Sequence, residues 1–151
     1  MSNFSISTIE ELEPIVGELV ELIKTYKILV FDGEMGAGKT TLIGKICQKI
    51  GISEISSPTY AIVNTYDSKQ FGDVYHFDFY RLENEEEAVQ SGLDEMIDSG
   101  NLCFLEWADR ISKLLPDTYV KVGIEVNGEN RNVDISIVRE NLLNNLENLT
   151  K

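Results

Sequence analysis

Apolar residues recur with helical or strand spacing along most of this chain. Thr8-Ile9-Glu10-Glu11 has the spacing of a capping box, and helical periodicity follows it, which predicts a first helix over residues 9–26. Pro14 lies past the first turn of that helix, so it either kinks the helix or delays its start. A β-rich apolar run predicts a buried strand over residues 27–32, and a second helix is predicted over residues 40–50.

The rest of the chain alternates between strands and short helices. Strands over residues 60–66 and 73–80 flank a polar link that ends in glycine and suits an antiparallel hairpin. A second hairpin, over residues 119–126 and 131–138, is predicted at Asn127-Gly128. An apolar strand over 102–106 and helices over 84–90, 93–97, 108–115 and 139–149 complete the pattern. These elements predict an α/β sandwich whose sheet is partly parallel and partly antiparallel.

A glycine-rich loop lies between the strand at 27–32 and the helix at 40–50. It fits the phosphate-binding pattern of two glycines separated by four residues and followed by Lys and Ser/Thr, and its residues are Gly33, Glu34, Met35, Gly36, Ala37, Gly38, Lys39, Thr40 and Thr41. Strand, loop and helix place backbone N–H groups and the positive end of a helix dipole around phosphates. The sequence therefore predicts a nucleoside triphosphate site in a P-loop NTPase-like three-layer sandwich.

Length and charge narrow the possibilities further. With 151 residues, the chain has the size of a single domain, which we predict over residues 1–151. It shows neither a secretion signal nor a long apolar run, so we expect a cytoplasmic protein without a membrane segment. The net charge of −13 should repel RNA or DNA. Cys47 and Cys103 fit small buried hydrophobes better than metal ligands.

Hydrolysis of a nucleotide needs a magnesium ligand and a carboxylate near the loop. Thr40 stands where the pattern places the hydroxyl that binds the ion, whereas Thr41 fits phosphate contact and a bond within the first helical turn equally well. Glu106 ends an apolar strand, where parallel sheets present residues to ligands. It could bind the metal or orient water, or it could simply be an exposed strand end.

Two further segments carry candidate residues. Strand alternation places His76, Asp78 and Tyr80 on one face, either as a site or as a core strand with a satisfied His–Asp pair. Asp78 is the stronger candidate, as a group that positions water or supports the ion. Trp107 fits core packing as well as an aromatic lid or partner contact. Residues Ser57, Pro58, Thr59 and Tyr60 resemble a phosphate-sensing loop in position, but an ordinary Pro-containing turn explains them better.

Taken together, these segments resemble the bacterial TsaE family of small ATPases. The resemblance covers nearly the whole chain and includes the glycine loop, residues 57–60, His76-Phe77-Asp78-Phe79-Tyr80-Arg81, Ser91-Gly92-Leu93-Asp94-Glu95 and Leu105-Glu106-Trp107-Ala108-Asp109-Arg110. It implies an ATPase that uses ATP and Mg²⁺ and works with the TsaB and TsaD proteins. Their shared product is the threonylcarbamoyl modification of adenosine 37 in tRNAs that read codons beginning with A.

The resemblance also implies a role for individual residues. Lys39 contacts phosphate, Thr40 and Glu106 bind magnesium, Asp78 is needed for activity, and Trp107 is a functional aromatic. Ser57, Pro58, Thr59 and Tyr60 become a switch-like segment, with His76 counted among the switch or partner residues. Adenine is expected against the N-terminal segment around Thr8 to Glu10. An acidic subunit of this kind would reach tRNA through its partners.

Two other functions remain open at this level. A P-loop kinase of a nucleoside or other small metabolite would need an acceptor pocket and usually a cationic lid, yet the only arginines are Arg81, Arg110, Arg131 and Arg139. A binding module whose partner affinity depends on the bound nucleotide differs from a slow ATPase only in degree.

Overall fold

The computed structural model describes residues 2–55 and 62–139. The strands are β1 Ser2–Ile6, β2 Ile28–Gly33, β3 Val63–Ser68, β4 Gly72–Asp78, β5 Leu102–Glu106, β6 Tyr119–Asn127 and β7 Asn130–Val138. The α-helices are α1 Glu13–Leu22, α2 Lys39–Lys49, α3 Glu85–Gln90 and α4 Leu93–Ile97. Ile9–Leu12 and Ala108–Leu114 form 3₁₀ segments.

All these strands join one seven-stranded sheet in the order β1-β7-β6-β2-β5-β4-β3. Strand β2 pairs in parallel with β5 and β6, and β4 pairs in parallel with β5. The outer pairings, β1 with β7, β7 with β6 and β3 with β4, are antiparallel. The predicted mixed sheet is therefore confirmed, with parallel strands at its centre and antiparallel strands toward both edges.

Helices cover both faces of the sheet, which gives three layers. One apolar cluster joins α1 and α2 to side chains such as Leu29, Phe31 and Phe104. The other joins α3, α4 and the second 3₁₀ segment to Val30, Leu105 and their neighbours. The sequences of β2 and β5 are mostly apolar because helices cover both faces of these two strands. The predicted α/β fold class is confirmed.

The N-terminal segment differs most from the sequence-based expectation. No strand is predicted there, yet β1 pairs with β7 over its whole length, from Ser2 opposite Ile135 to Ile6 opposite Arg131. The predicted helix over 9–26 is also too long: the chain is 3₁₀ up to Leu12, and α1 ends at Leu22. Pro14 lies in the first turn of α1, where a missing N–H costs little, so the delayed start is the right alternative.

Both cysteines are buried and unpaired, in agreement with their predicted role as small hydrophobes. Burial raises the pKa of each thiol to about 12, so neither is a thiolate at neutral pH.

Every helix in the described part of the chain is too short or too polar to cross a membrane. Of the predicted C-terminal helix over residues 139–149, only residue 139 lies within the described part of the chain. The assignment of residues 1–151 to a single domain stays a prediction.

Candidate functional site

The glycine loop leaves the sheet at the carboxyl end of β2 and enters α2. A Cβ on Gly33 would lie 2.7 Å from the carbonyl oxygen of Ile124 in β6, so only glycine fits this close approach. Gly36 and Gly38 have φ values of 82° and 110°, which other L-residues rarely adopt. The glycines at these places are therefore required by the path of the loop itself.

Helix α2 begins at Lys39, so Lys39, Thr40 and Thr41 of the glycine loop lie in its first turn. Its first turn is marked by the hydrogen bond from the Leu42 N–H to the Gly38 carbonyl, 3.0 Å long. The first N–H groups of an α-helix have no acceptor within the helix, and the helix dipole adds positive potential there. The end of the loop is therefore suited to hold an anion such as a phosphate.

Lys39 is the buried cation of this region, with 6% of its surface exposed. Its Nζ donates to the Gly33 carbonyl at 2.7 Å and lies 4.0 Å from the centre of the Trp107 ring. Burial lowers the pKa of Lys39, and the negative charges of Glu106 and Asp78 partly oppose that shift. The side chain is thus fixed at the first glycine and faces two carboxylates.

Those carboxylates end two neighbouring parallel strands. Asp78 of β4 lies opposite Glu106 of β5 in the sheet register, so both belong to the face that α2 covers. Glu106 is buried, which excludes the exposed strand end considered from the sequence. Burial raises the pKa of Asp78, and the adjacent Glu106 charge acts in the same direction. The Tyr80 N–H donates to Asp78 Oδ1 at 3.0 Å and orients that carboxylate.

His76 does not form the His–Asp pair that strand alternation allows. Its Nε2 lies 2.6 Å from Glu106 Oε2, and its Nδ1 lies 2.9 Å from the Tyr66 hydroxyl. The face shared by His76 and Asp78 does not extend to Tyr80, because β4 ends at Asp78 and the chain turns there. His76 is fully buried behind the carboxylates, where it supports Glu106.

Trp107 follows Glu106 in a left-handed conformation, with φ 58° and ψ 41°. Among the described residues it is the one non-glycine residue with a positive φ, and such strain concentrates at functional sites. Its ring covers Lys39 on one side and lies 4.9 Å from the ring of Tyr80. Trp107 also packs against the second apolar cluster, so core packing and a covering role coexist.

Two of the cavities beside the glycine loop share part of their lining. The first, of about 350 Å³, is lined by the predicted phosphate and catalytic residues, namely Met35, Gly36, Gly38, Lys39, Thr40, Thr41, Asp78, Glu106 and Trp107. The second, of about 320 Å³, shares Gly36, Gly38 and Thr41 with it and extends to the N-terminal segment at Ile6, Ser7, Thr8 and Ile9. The two cavities therefore adjoin each other along the glycine loop.

Some predicted residues fall elsewhere. Glu10 lines neither of these cavities, and Glu34 faces a different groove beside Asp32 and Glu125. Gly33 lines the same groove as Glu34, whereas Ala37 lines the second cavity and not the first. Ser57, Pro58, Thr59 and Tyr60 lie outside the described residues.

The first cavity offers oxygen donors from Thr40, Asp78 and Glu106. In the described ranges, the His, Cys, Asp and Glu side chains form no group of three or more that could hold a metal by themselves. This donor set fits Mg²⁺, which binds one or two protein oxygens and takes its other ligands from phosphates and water. A closed cage for a transition metal would need imidazole or thiolate donors, and the described residues that line this cavity include neither His nor Cys.

Two residues of the site region escape sequence analysis. The Tyr66 hydroxyl reaches His76 from β3, and Arg131 Nε of β7 donates to the Ala37 carbonyl of the glycine loop at 3.2 Å. Neither lies in a recognisable motif, and each contact depends on tertiary structure: Tyr66 and His76 lie on the paired strands β3 and β4, and Arg131 reaches the glycine loop from β7. Alternation within the predicted hairpins is the one signal that could have placed Tyr66 and Arg131 on an inward face.

The comparisons with known proteins agree with this geometry. Residues 6–133 match the family described as threonylcarbamoyl adenosine biosynthesis protein TsaE. A Haemophilus influenzae protein named tRNA threonylcarbamoyladenosine biosynthesis protein TsaE is 34% identical over 132 residues, or 85% of this chain and 81% of the relative. Proteins of that name from Rickettsia felis and Bacillus subtilis are each 34% identical, over 81% and 80% of this chain and 71% and 75% of their own length.

A solved structure extends the comparison to the fold. The crystal structure of YdiB from Bacillus subtilis matches with a TM-score of 0.71 over 99% of this chain and 96% of that one, at 24% identity. The family match and the sequence identities confirm the resemblance inferred from the motifs: the chain belongs to the TsaE family.

Proposed function

We propose that this protein is a Mg²⁺-dependent ATPase that acts with TsaB and TsaD proteins in the threonylcarbamoylation of adenosine 37 of tRNAs reading codons that begin with A. One observation carries the ATPase proposal: Lys39, Thr40, Asp78 and Glu106 line a single cavity at the amino end of α2. A cation, a hydroxyl and two carboxylates beside a phosphate-binding loop are the parts that phosphoryl transfer requires.

ATP would lie across both cavities. Its phosphates would contact the loop backbone, the first turn of α2 and the ammonium of Lys39. The nucleoside would then extend into the second cavity toward Thr8, because that space continues directly from Gly36, Gly38 and Thr41. The expected adenine contact is thereby assigned to Thr8 and its neighbours and not to Glu10.

Thr40 and Glu106 are the residues that would hold Mg²⁺. When bound, the ion supplies charge neutralisation for the phosphate oxygens. Asp78 is the candidate for orienting the attacking water, since its oxygens accept hydrogen bonds at the edge of the same cavity. The raised pKa of Asp78 makes its carboxylate a better proton acceptor than an ordinary aspartate.

The proposed partners follow from charge and from family membership. The relatives are named for threonylcarbamoyladenosine biosynthesis in tRNA. A chain with 26 acidic and 13 basic residues, however, is poorly suited to bind tRNA directly. We therefore assign the contact with tRNA to TsaB and TsaD, and we expect slow hydrolysis by this chain alone.

Phosphate release from Mg-ATP, measured for the chain alone and with TsaB and TsaD from the same organism, tests this function. Stimulation by the pair that is lost in Glu106→Gln would support it. A rate that the pair leaves unchanged, together with no co-migration on size-exclusion chromatography, would overturn the proposed partnership. Hydrolysis that is unaffected by Glu106→Gln would overturn the assigned site.

A further inference from the structure

A continuous hydrogen-bonded chain runs through the sheet from Tyr66 to Glu106. The Tyr66 hydroxyl lies 2.9 Å from His76 Nδ1, and His76 Nε2 lies 2.6 Å from Glu106 Oε2. Tyr66, His76 and Glu106 are 7%, 0% and 4% exposed. The three side chains come from β3, β4 and β5, so the chain crosses three adjacent strands.

The strand register explains how these residues meet. Tyr66 pairs with Val74 and His76 pairs with Phe104, so each hydrogen bond joins diagonal neighbours on one face of the sheet. Long and aromatic side chains can span such a diagonal. Because both hydrogen bonds join residues of paired strands, the backbone hydrogen bonds of the sheet fix the positions of the three side chains.

Core packing alone does not account for this arrangement. A buried imidazole is costly unless its nitrogens have partners, and an apolar residue would fill the same space without that requirement. Neither Tyr66 nor His76 lines the proposed ATP cavity, whereas Glu106 does. The hydrogen bonds of the two buried groups therefore reach that cavity through Glu106.

The chemistry of the groups fixes the direction of the hydrogen bonds. A carboxylate only accepts, so His76 must carry a proton on Nε2 and donate it to Glu106 Oε2. A neutral ring that is protonated on Nε2 has an acceptor at Nδ1, and the Tyr66 hydroxyl can donate to it. Glu106 thus requires the proton on Nε2, and the Tyr66 hydroxyl, by donating to Nδ1, supports the His76 tautomer that holds Glu106.

We propose that Tyr66 is a positioning residue for Glu106, acting through the tautomer of His76. The hydrogen bond from His76 engages Oε2 and leaves Oε1 as the other oxygen of a carboxylate that lines the cavity. Partners behind a metal-binding or catalytic group commonly fix its orientation in this way. The catalytic consequence of this arrangement rests on the proposed ATPase function.

The chain contains a single histidine, so a ¹⁵N NMR spectrum of its ring reports on His76 without assignment. The wild type should show the tautomer protonated on Nε2. Tyr66→Phe removes the hydroxyl and keeps the ring, and the Nδ1 resonance should shift or the tautomer should become mixed. Tyr75→Phe is the matched control, because Tyr75 packs against the apolar cluster on the opposite face and should leave the spectrum unchanged.

Kinetic measurements distinguish a positioning role of Tyr66 from a role in core packing alone. With the TsaB–TsaD complex present, Tyr66→Phe should lower kcat about 10-fold, the low end of such supporting effects, and leave the KM for ATP within about twofold. Tyr75→Phe should keep the wild-type kcat. An unchanged kcat in Tyr66→Phe, or equal losses in both variants, would overturn the proposal.

The spectra also distinguish this proposal from the ATPase assignment. A wild type that releases no phosphate with its partners would overturn the proposed function, while the His76 resonances would still test the chain of hydrogen bonds. Should Tyr66→Phe fail to fold, Glu106→Gln provides the second variant, and its His76 Nε2 resonance should shift. A wild-type ring protonated on Nδ1, or a Glu106→Gln spectrum identical to wild type, would overturn the positioning role.

Discussion

The ammonium group of Lys39 lies 4.0 Å from the centre of the Trp107 ring and 2.7 Å from the carbonyl oxygen of Gly33. The lysine of the glycine loop is therefore held between the start of its own loop and an aromatic side chain from the end of β5. A cation over an indole face is stabilised by the ring quadrupole. This contact links the glycine loop to the strand that carries Glu106.

Trp107 should report on nucleotide binding through its fluorescence. It is the only tryptophan of the chain, and phosphates bound at Lys39 would change the charge next to the indole. We expect a saturable change in emission when Mg-ATP is added. Adenosine, which lacks phosphates, should cause little change. Saturable ATP binding by calorimetry without any change in Trp107 emission would contradict the assigned contact.

Asp78→Asn should stabilise the protein at neutral pH. Because burial raises the pKa of Asp78 above its ordinary value of 3.8, the folded state binds more protons than the unfolded state between the two values. Stability therefore falls as the pH rises through that window and stays lower above it. Asparagine removes the buried charge and keeps an oxygen acceptor for the Tyr80 N–H.

Thermal unfolding across pH tests this prediction. The melting temperature of Asp78→Asn should exceed that of the wild type at pH 7, and the two should converge below about pH 3.8, the ordinary aspartate value. Asp67→Asn provides a control, because Asp67 is an exposed carboxylate on β3. A variant that melts below the wild type at pH 7 would show that Asp78 stabilises the fold as a charged group.

Gly33→Ala should destabilise the protein by about 1–3 kcal/mol, the usual cost of inserting a methyl group into a packed region. The added Cβ would lie 2.7 Å from the Ile124 carbonyl oxygen, a backbone atom that cannot turn away. Gly17→Ala is the matched control, since a Cβ there meets nothing within 4 Å. Within α1 that change should stabilise by about 0.5–1 kcal/mol.

Urea denaturation of both glycine variants would measure these free energies of unfolding. The signs should be opposite although each variant gains only one methyl group. Equal stabilities of Gly33→Ala and the wild type would mean that β2 and β6 can separate at this point without cost.

The sequence predicts the local elements of the fold well. Helix α4 and strand β5 have the predicted bounds, Leu93–Ile97 and Leu102–Glu106, because periodicity and turn residues act over a few positions. Strand β1 is missed because the pattern at Ser2–Ile6 is weak and its strand form depends on pairing with β7. Tertiary pairing of this kind overrides local propensity.

In the candidate site too, the sequence predicts what local pattern determines and misses what depends on tertiary pairing. The glycine loop marks Lys39 from sequence, and the end of an apolar strand marks Glu106, because parallel strands expose their carboxyl ends at one edge. Alternation along the strand predicted over 73–80 marks Asp78. The partner of His76 could not be predicted, since alternation gives the face of a side chain but not its diagonal neighbour. The Tyr66–His76 and His76–Glu106 hydrogen bonds follow only from the register of three strands.

Calorimetric titration of Mg-ATP into the wild type and Lys39→Ala tests the central claim most directly. If the ammonium of Lys39 contacts the phosphates, the variant should bind Mg-ATP at least 10-fold more weakly, the loss expected for about 1.4 kcal/mol of a charge-assisted contact. Thermal unfolding should show that the variant remains folded. Binding of Mg-ATP by folded Lys39→Ala with wild-type affinity would contradict the assignment of this loop as the phosphate site.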